Sequence, residues 1–236
     1  MFPISDDNPH SAFPVFTLLF IGGCIAAFVW QVSLPPEALQ QAIISFGAVP
    51  AVIFGTTEPA YPALAPAPWL TLFTSMFLHG GLLHLGGNML FLWIFGDNVE
   101  WAVGRLKFVV FYFLCGAAAA LTQAYVDPSS QIPLIGASGA IAGVLGAYLV
   151  LFPFAEVRTL IFLILIVQMV HIPAVIVLGV WFAVQIFSGV MSSAEAGIAF
   201  WAHVGGFVAG IVLIPFFKRR EARFFTPPRH APFSRA

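Results

Sequence analysis

Apolar stretches of about 20 residues with almost no charge recur along this chain, and they constrain its fold more than any other feature. A helix needs roughly 20 apolar residues to cross about 30 Å of hydrocarbon. Stretches near that length cover residues 13–32, 82–99, 108–125, 134–152, 173–190 and 198–217. With 60% hydrophobic and 8% charged residues, and a mean hydropathy of +0.98, an ordinary soluble domain is excluded. The expected fold is therefore an all-α bundle of six transmembrane helices. The basic residues form no stripe that could follow a phosphate backbone, so nucleic acid is not an expected partner; the lipid bilayer is. Cys24 and Cys115 fall inside apolar stretches and read as small buried hydrophobes. The first stretch follows Asp6 and Asp7 instead of a basic segment, and no small-residue cleavage site comes after it. It reads as a retained anchor.

The nine Lys and Arg residues set the orientation. Arg105 and Lys107 lie between spans two and three, Arg158 follows span four, and Lys218, Arg219, Arg220, Arg223, Arg229 and Arg235 follow span six. The opposite loops, 33–81, 126–133 and 191–197, contain none. Positively charged loops stay cytoplasmic, so both termini are expected inside, in the plasma (inner) membrane of a bacterium. A membrane domain is expected over 1–217, with its core at 69–217, followed by a basic, disordered cytoplasmic tail over 218–236. Residues 159–171 are apolar but too short to span before Pro173. They read as an interfacial lead into span five, helical or extended. The long 33–81 loop has turn signals at Pro35-Pro36 and Pro66-Ala67-Pro68 and enough apolar residues to lie on the outer membrane surface.

Polar side chains at membrane depth are costly and mark function by default. Four stand out: His84 and Asn88 on span two, Ser138 on span four and His203 on span six. Those three spans run in the same direction, and all four residues lie near their outer ends. At about 1.5 Å per residue, Ser138 and His203 sit roughly 6 and 8 Å below the starts of their spans. Ser138 lies in Gly136-Ala137-Ser138-Gly139, a loop-to-helix junction whose backbone N–H groups suit an oxyanion. Taken alone, Ser138 reads as a helix N-cap and His203 as a polar residue bonding a neighbouring helix. Spacing favours more. Gly139, Gly143 and Gly146 line one side of span four, and Gly206 and Gly210 share a face with His203. Small residues at such intervals let helices approach closely, bringing a serine within reach of a base. His84 and Asn88, four residues apart, share one face and can both donate to a developing oxyanion.

These residues resemble the rhomboid family of intramembrane serine proteases. The resemblance runs from Trp69 to Gly210. It rests on His79-Gly-Gly-Leu-Leu-His84-Leu-Gly-Gly-Asn88, on Glu100, Gly104 and Phe108, on Gly136-Ala-Ser138-Gly139, and on Ala202-His203-Val-Gly-Gly206-Phe-Val-Ala-Gly210. It implies a six-helix core and cleavage of membrane-protein substrates near their outer ends by a Ser–His dyad without an acid, and the cycle calls for no cofactor or metal. By that resemblance Ser138 is the nucleophile, His203 the base, and His84 and Asn88 the side chains of the oxyanion hole. Gly136 and Gly139 flank the nucleophile, His79 supports, and Glu100 is a structural acid of the cytoplasmic turn. Two positions depart from the family pattern: Leu70 replaces a common arginine, and Ala142 stands where several relatives carry an aromatic that packs on the catalytic histidine. Two other readings remain open here: a metal-binding membrane protein using His79, His84 and His203, and an inert relative that binds membrane helices without cutting them.

Overall fold

A computed structural model describes residues 2–8, 12–163, 166–191 and 199–227. Most of the loop expected at 191–197 and the tail beyond 227 lie outside the described residues. Strand β1 (Phe2–Asp6) precedes α1 (Val15–Ser33), α2 (Pro36–Phe46) and two single-turn helices, α3 (Pro50–Ile53) and α4 (Thr71–Thr74). Then come α5 (Leu82–Val103), α6 (Arg105–Val126), α7 (Ser138–Leu151), β2 (Glu156–Leu163), β3 (Ile166–Pro173), α8 (Ala174–Met191) and α9 (Phe200–Phe217).

Among the described residues, α1, α6, α8 and α9 are long and apolar enough to cross a membrane. The segment Pro68–Phe77 is bent by 87° against α5, and the count rises to five only where that pair is taken as one broken span. The expected count of six is thus not reached by length and composition. The shortfall is α7, which has 14 residues because residues 134–137 lead into it outside the helix: Leu134 pairs with Ala48 in an isolated bridge and Gly136 turns the chain at φ +122°. It needs no greater apolar length, since every residue from Gly139 to Tyr148 is buried within protein.

The chain is mostly helical but not all-α, because β1, β2 and β3 form a three-stranded antiparallel sheet in that order. Residues 159–163 and 166–171 are thus extended. The alternation that makes them so is visible in Glu156-Val157-Arg158-Thr159, where Val157 and Thr159 are buried and Glu156 and Arg158 are exposed.

The three motif residues of the α5–α6 turn each have a physical task. Glu100 is buried and accepts the backbone N–H groups of Phe16 (3.1 Å) and Thr17 (2.8 Å) and the Thr17 hydroxyl (2.8 Å), capping the otherwise unpaired N-terminus of α1. Gly104 has φ +94°, which lets two helices meet across one residue. Phe108 is fully buried beyond it.

The tail expected to be disordered is ordered as far as it is described. Arg219 N–H donates to Ala102 O (2.8 Å), Phe225 N–H to Val150 O (3.0 Å) and Thr226 N–H to Leu151 O (2.9 Å), while Ala222 is buried. Carbonyls at the ends of α5 and α7 lack intrahelical partners, and this segment supplies them.

Strand β1 is fastened by Asp6, whose carboxylate accepts from the Tyr148 hydroxyl and from Asn98 Nδ2 (3.0 Å). Burial pushes the Asp6 carboxyl up to about 7, outweighing the lowering effect of the Tyr148 bond, with nearby Asp97 and Asp7 pushing the same way as burial. An acid raised from 3.8 to about 7 holds a proton when docked that it gives up when released, so docking weakens as pH rises from about 4 to about 7 and stays weakened above. Hydrogen exchange of the β1 amides, corrected for intrinsic rates, is expected to show less protection at pH 8 than at pH 5. Asp6→Asn should remove that difference; equal wild-type protection at both values would contradict the assignment.

Candidate active site

Helices α7 and α9 touch through their backbones. A Cβ added to Gly206 would lie 2.0 Å from Gly139 O, and one on Gly210 would lie 1.9 Å from Gly143 O. Only glycine allows this approach. The seam carries Ser138, first residue of α7, and His203, in the first turn of α9, to a hydrogen-bonded distance of 2.9 Å between Ser138 Oγ and His203 Nε2.

The backbone enters α7 through Gly136, at φ +122°, a conformation rarely open to other residues. Its N–H is held by Ser75 O (2.9 Å), and a side chain there would meet the His84 ring at 2.8 Å. His84 accordingly lies directly over the turn before Ser138. Its Nδ1 accepts from Gly80 N–H at 3.3 Å, which assigns the hydrogen of the neutral ring to Nε2, the nitrogen beside Gly136. Asn88, one turn further along α5, is buried, and its side-chain N–H group has no protein acceptor among the described residues. Ser138, His203, His84 and Asn88 all line one cavity of about 870 Å³. A serine, a base and two donors thus face a shared space large enough for a peptide segment.

His79 is not among the residues lining that cavity. It is buried behind His84, ring centroids 5.2 Å apart, and its backbone is clamped by Gln31, which accepts its N–H (2.9 Å) and donates to its carbonyl (3.2 Å). Gly139 packs under α9 and adds no polar group. Among the described residues no three His, Cys, Asp or Glu side chains are grouped as metal ligands.

The four-residue polar set misses one member. Gln185 of α8 is buried, and its Oε1 lies 2.8 Å from His203 Nδ1. Its signal in the sequence is a lone amide in the apolar run 174–191.

The family model for the Rhomboid domain matches residues 66–220. Among curated proteins, the chain is 32% identical over 136 residues to Rhomboid protease GluP of Bacillus subtilis (58% of this chain, 24% of that protein). It is 30% identical over 154 residues to Rhomboid protein 1, mitochondrial, of Saccharomyces cerevisiae (61% and 40%). It is also 28% identical over 180 residues to the putative rhomboid protease YdcA of Bacillus subtilis (75% and 83%). This chain belongs to the rhomboid family. It is a multi-pass membrane protein, and its matched part spans less than half the length of the first two relatives.

Proposed function

We propose that the protein is an intramembrane serine endopeptidase that cleaves membrane-spanning substrates near their outer ends, with Ser138 as nucleophile and His203 as base. The observation that carries this is the 2.9 Å contact between Ser138 Oγ and His203 Nε2 in a cavity that His84 and Asn88 also line. His203 takes the Ser138 proton as Oγ attacks the substrate carbonyl carbon. The oxyanion is held by the Ser138 backbone N–H, unpaired at the start of α7, with His84 Nε2–H and Asn88 Nδ2–H. His203 then gives its proton to the departing amine, and water releases the acyl-enzyme with His203 again as base. No cofactor enters this cycle. The relatives named as rhomboid proteases support the same chemistry.

Six crossings with both termini cytoplasmic fit the ties between loops. The N-terminal β1 pairs with β2, after α7, and Arg219, after α9, bonds Ala102 at the end of α5. At the other end, the Ala48 bridge joins Leu134. Each tie requires an even number of crossings between its partners. Cysteines introduced at Glu58 and Lys218 are expected to label from opposite sides of intact spheroplasts; labelling from one side would end the six-span topology.

The chemistry is tested by incubating the purified protein in liposomes with a fluorophosphonate and with transmembrane peptides. Labelling at Ser138, loss of labelling in His203→Ala, and cleavage indifferent to a chelator are expected. Peptide binding without labelling or cleavage would favour an inert helix binder, and chelator-sensitive cleavage restored by zinc would favour a metalloenzyme. In the same assay His84→Ala and Asn88→Ala should each lower kcat about a hundredfold, the loss of one oxyanion donor. Full activity of the double variant would show that the hole lies elsewhere.

A further inference from the structure

We infer that Gln185 is the positioning residue of this reaction, its side-chain amide fixing His203 in the tautomer and orientation that accept the Ser138 proton. The inference rests on the Ser138 and His203 roles proposed above and supplies the third member that a serine and a histidine alone lack.

Gln185 sits in an apolar helix with 8% of its surface exposed, where an unpaired amide would be costly. Its two ends are assigned by their partners. Nε2 donates to the Trp181 carbonyl at 3.3 Å. A carbonyl has no hydrogen to give, so the atom 2.8 Å from His203 Nδ1 is the amide oxygen. That oxygen only accepts. The ring hydrogen therefore belongs on Nδ1, and the lone pair of the neutral imidazole belongs on Nε2, 2.9 Å from Ser138 Oγ. The three bonds then run in one direction: hydroxyl to imidazole, imidazole to amide, amide to carbonyl. Reversing the amide would set its N–H against a ring N–H, or shift the ring hydrogen to the nitrogen that must receive the serine proton.

A carboxylate at this position would do the same orienting work at the cost of a second charge at membrane depth. The amide dipole orients the ring without it. The same helix supplies the aromatic support. Ala142, one turn after the nucleophile, is fully buried and offers no ring, whereas Trp181 lies with its ring centroid 5.8 Å from that of His203 and 6.1 Å from that of Phe207, one turn beyond on α9. The two rings are tilted by 40°, so the indole packs against the imidazole and limits its rotation. Thus α8 orients the base through Gln185 and backs it through Trp181.

The test uses the full chain in liposomes, with a transmembrane peptide as substrate and Ser138→Ala as reference. Gln185→Leu keeps the helix and nearly the volume but removes the acceptor; kcat is expected to fall about ten- to a hundredfold, as when a histidine loses its orienting partner, with KM within twofold. Gln185→Glu restores an acceptor and should recover kcat to within severalfold. In protein carrying 15N-labelled histidine, the wild-type His203 signal should report hydrogen on Nδ1, and Gln185→Leu should convert it to a mixture. Wild-type kcat in Gln185→Leu, or a kcat loss that Gln185→Glu does not recover, would overturn the inference. So would a wild-type His203 signal with hydrogen on Nε2, which requires no variant to fold. Cleavage that persists in Ser138→Ala would instead overturn the nucleophile, a separate failure.

Discussion

Ser138→Ala and His203→Ala are each expected to abolish measurable peptide cleavage, and the double variant should be no worse than either alone. Without Oγ there is no atom to form the acyl-enzyme. Without His203 Nε2, the hydroxyl loses the base bonded to it at 2.9 Å, and the serine stays a weak nucleophile. Because the two act as one unit, their losses do not add. Both variants should retain the wild-type unfolding temperature within a few degrees, since Ser138 and His203 are partly exposed to the cavity and fill no core position. Progress curves at high enzyme concentration, beside thermal unfolding in detergent, would separate a chemical loss from a folding loss. Residual cleavage in Ser138→Ala, or a much deeper loss in the double variant, would break the pairing of nucleophile and base.

The second large effect concerns the seam beneath the site. Gly206→Val and Gly210→Val are expected to lower kcat by a hundredfold or more and to destabilise the protein together. The added side chain meets backbone oxygen at 2.0 Å in one case and 1.9 Å in the other. Backbone within a helix cannot swing aside as a side chain can, so α9 must move off α7. A displacement of about 1 Å at a catalytic pair costs on the order of a hundredfold in rate, and overpacking typically costs about 1–3 kcal/mol. Gly22→Ala is the control, because a Cβ there meets nothing within 4 Å, and replacing an exposed helix glycine by alanine adds up to about 1 kcal/mol of stability. Cleavage rates and unfolding temperatures of the three variants measured together would decide the matter. Gly206→Val behaving like Gly22→Ala would mean that the seam does not set the distance between Ser138 and His203.

Much of the geometry of this candidate site is legible in the sequence, and the reason is periodicity. Gly139, Gly143, Gly206 and Gly210 announce close helix contact by their spacing, and His84 with Asn88 announces a shared face. Gln185 has only an aromatic, Trp181, at helical spacing, so its meaning depended on α8 meeting α9, which no local pattern encodes. Trp181 was hidden for the same reason, being one aromatic in a chain with 26 phenylalanines and six tryptophans. The sheet was half visible: Glu156 to Thr159 alternates as a strand should, but its third strand comes from Phe2–Asp6 across more than 150 residues of sequence. The ordering of 218–227 was hidden by its charges, which read as a solvated tail, whereas its backbone serves the open carbonyls of α5 and α7.

The central helix has a consequence for how the protein meets different bilayers. A change in hydrocarbon thickness acts on helices that face lipid, by altering their tilt or the local membrane. Here that falls on α1, α6, α8 and α9, whose surfaces carry exposed apolar side chains such as Val29, Leu114, Phe187 and Val212. Helix α7 presents almost nothing to lipid, and the glycine seam ties α9 to it. The seam therefore holds Ser138 and His203 together against a change in membrane thickness, whereas Gln185 is carried on α8, outside that seam. Thinning or thickening the bilayer should tune the orientation of the base without parting it from the serine.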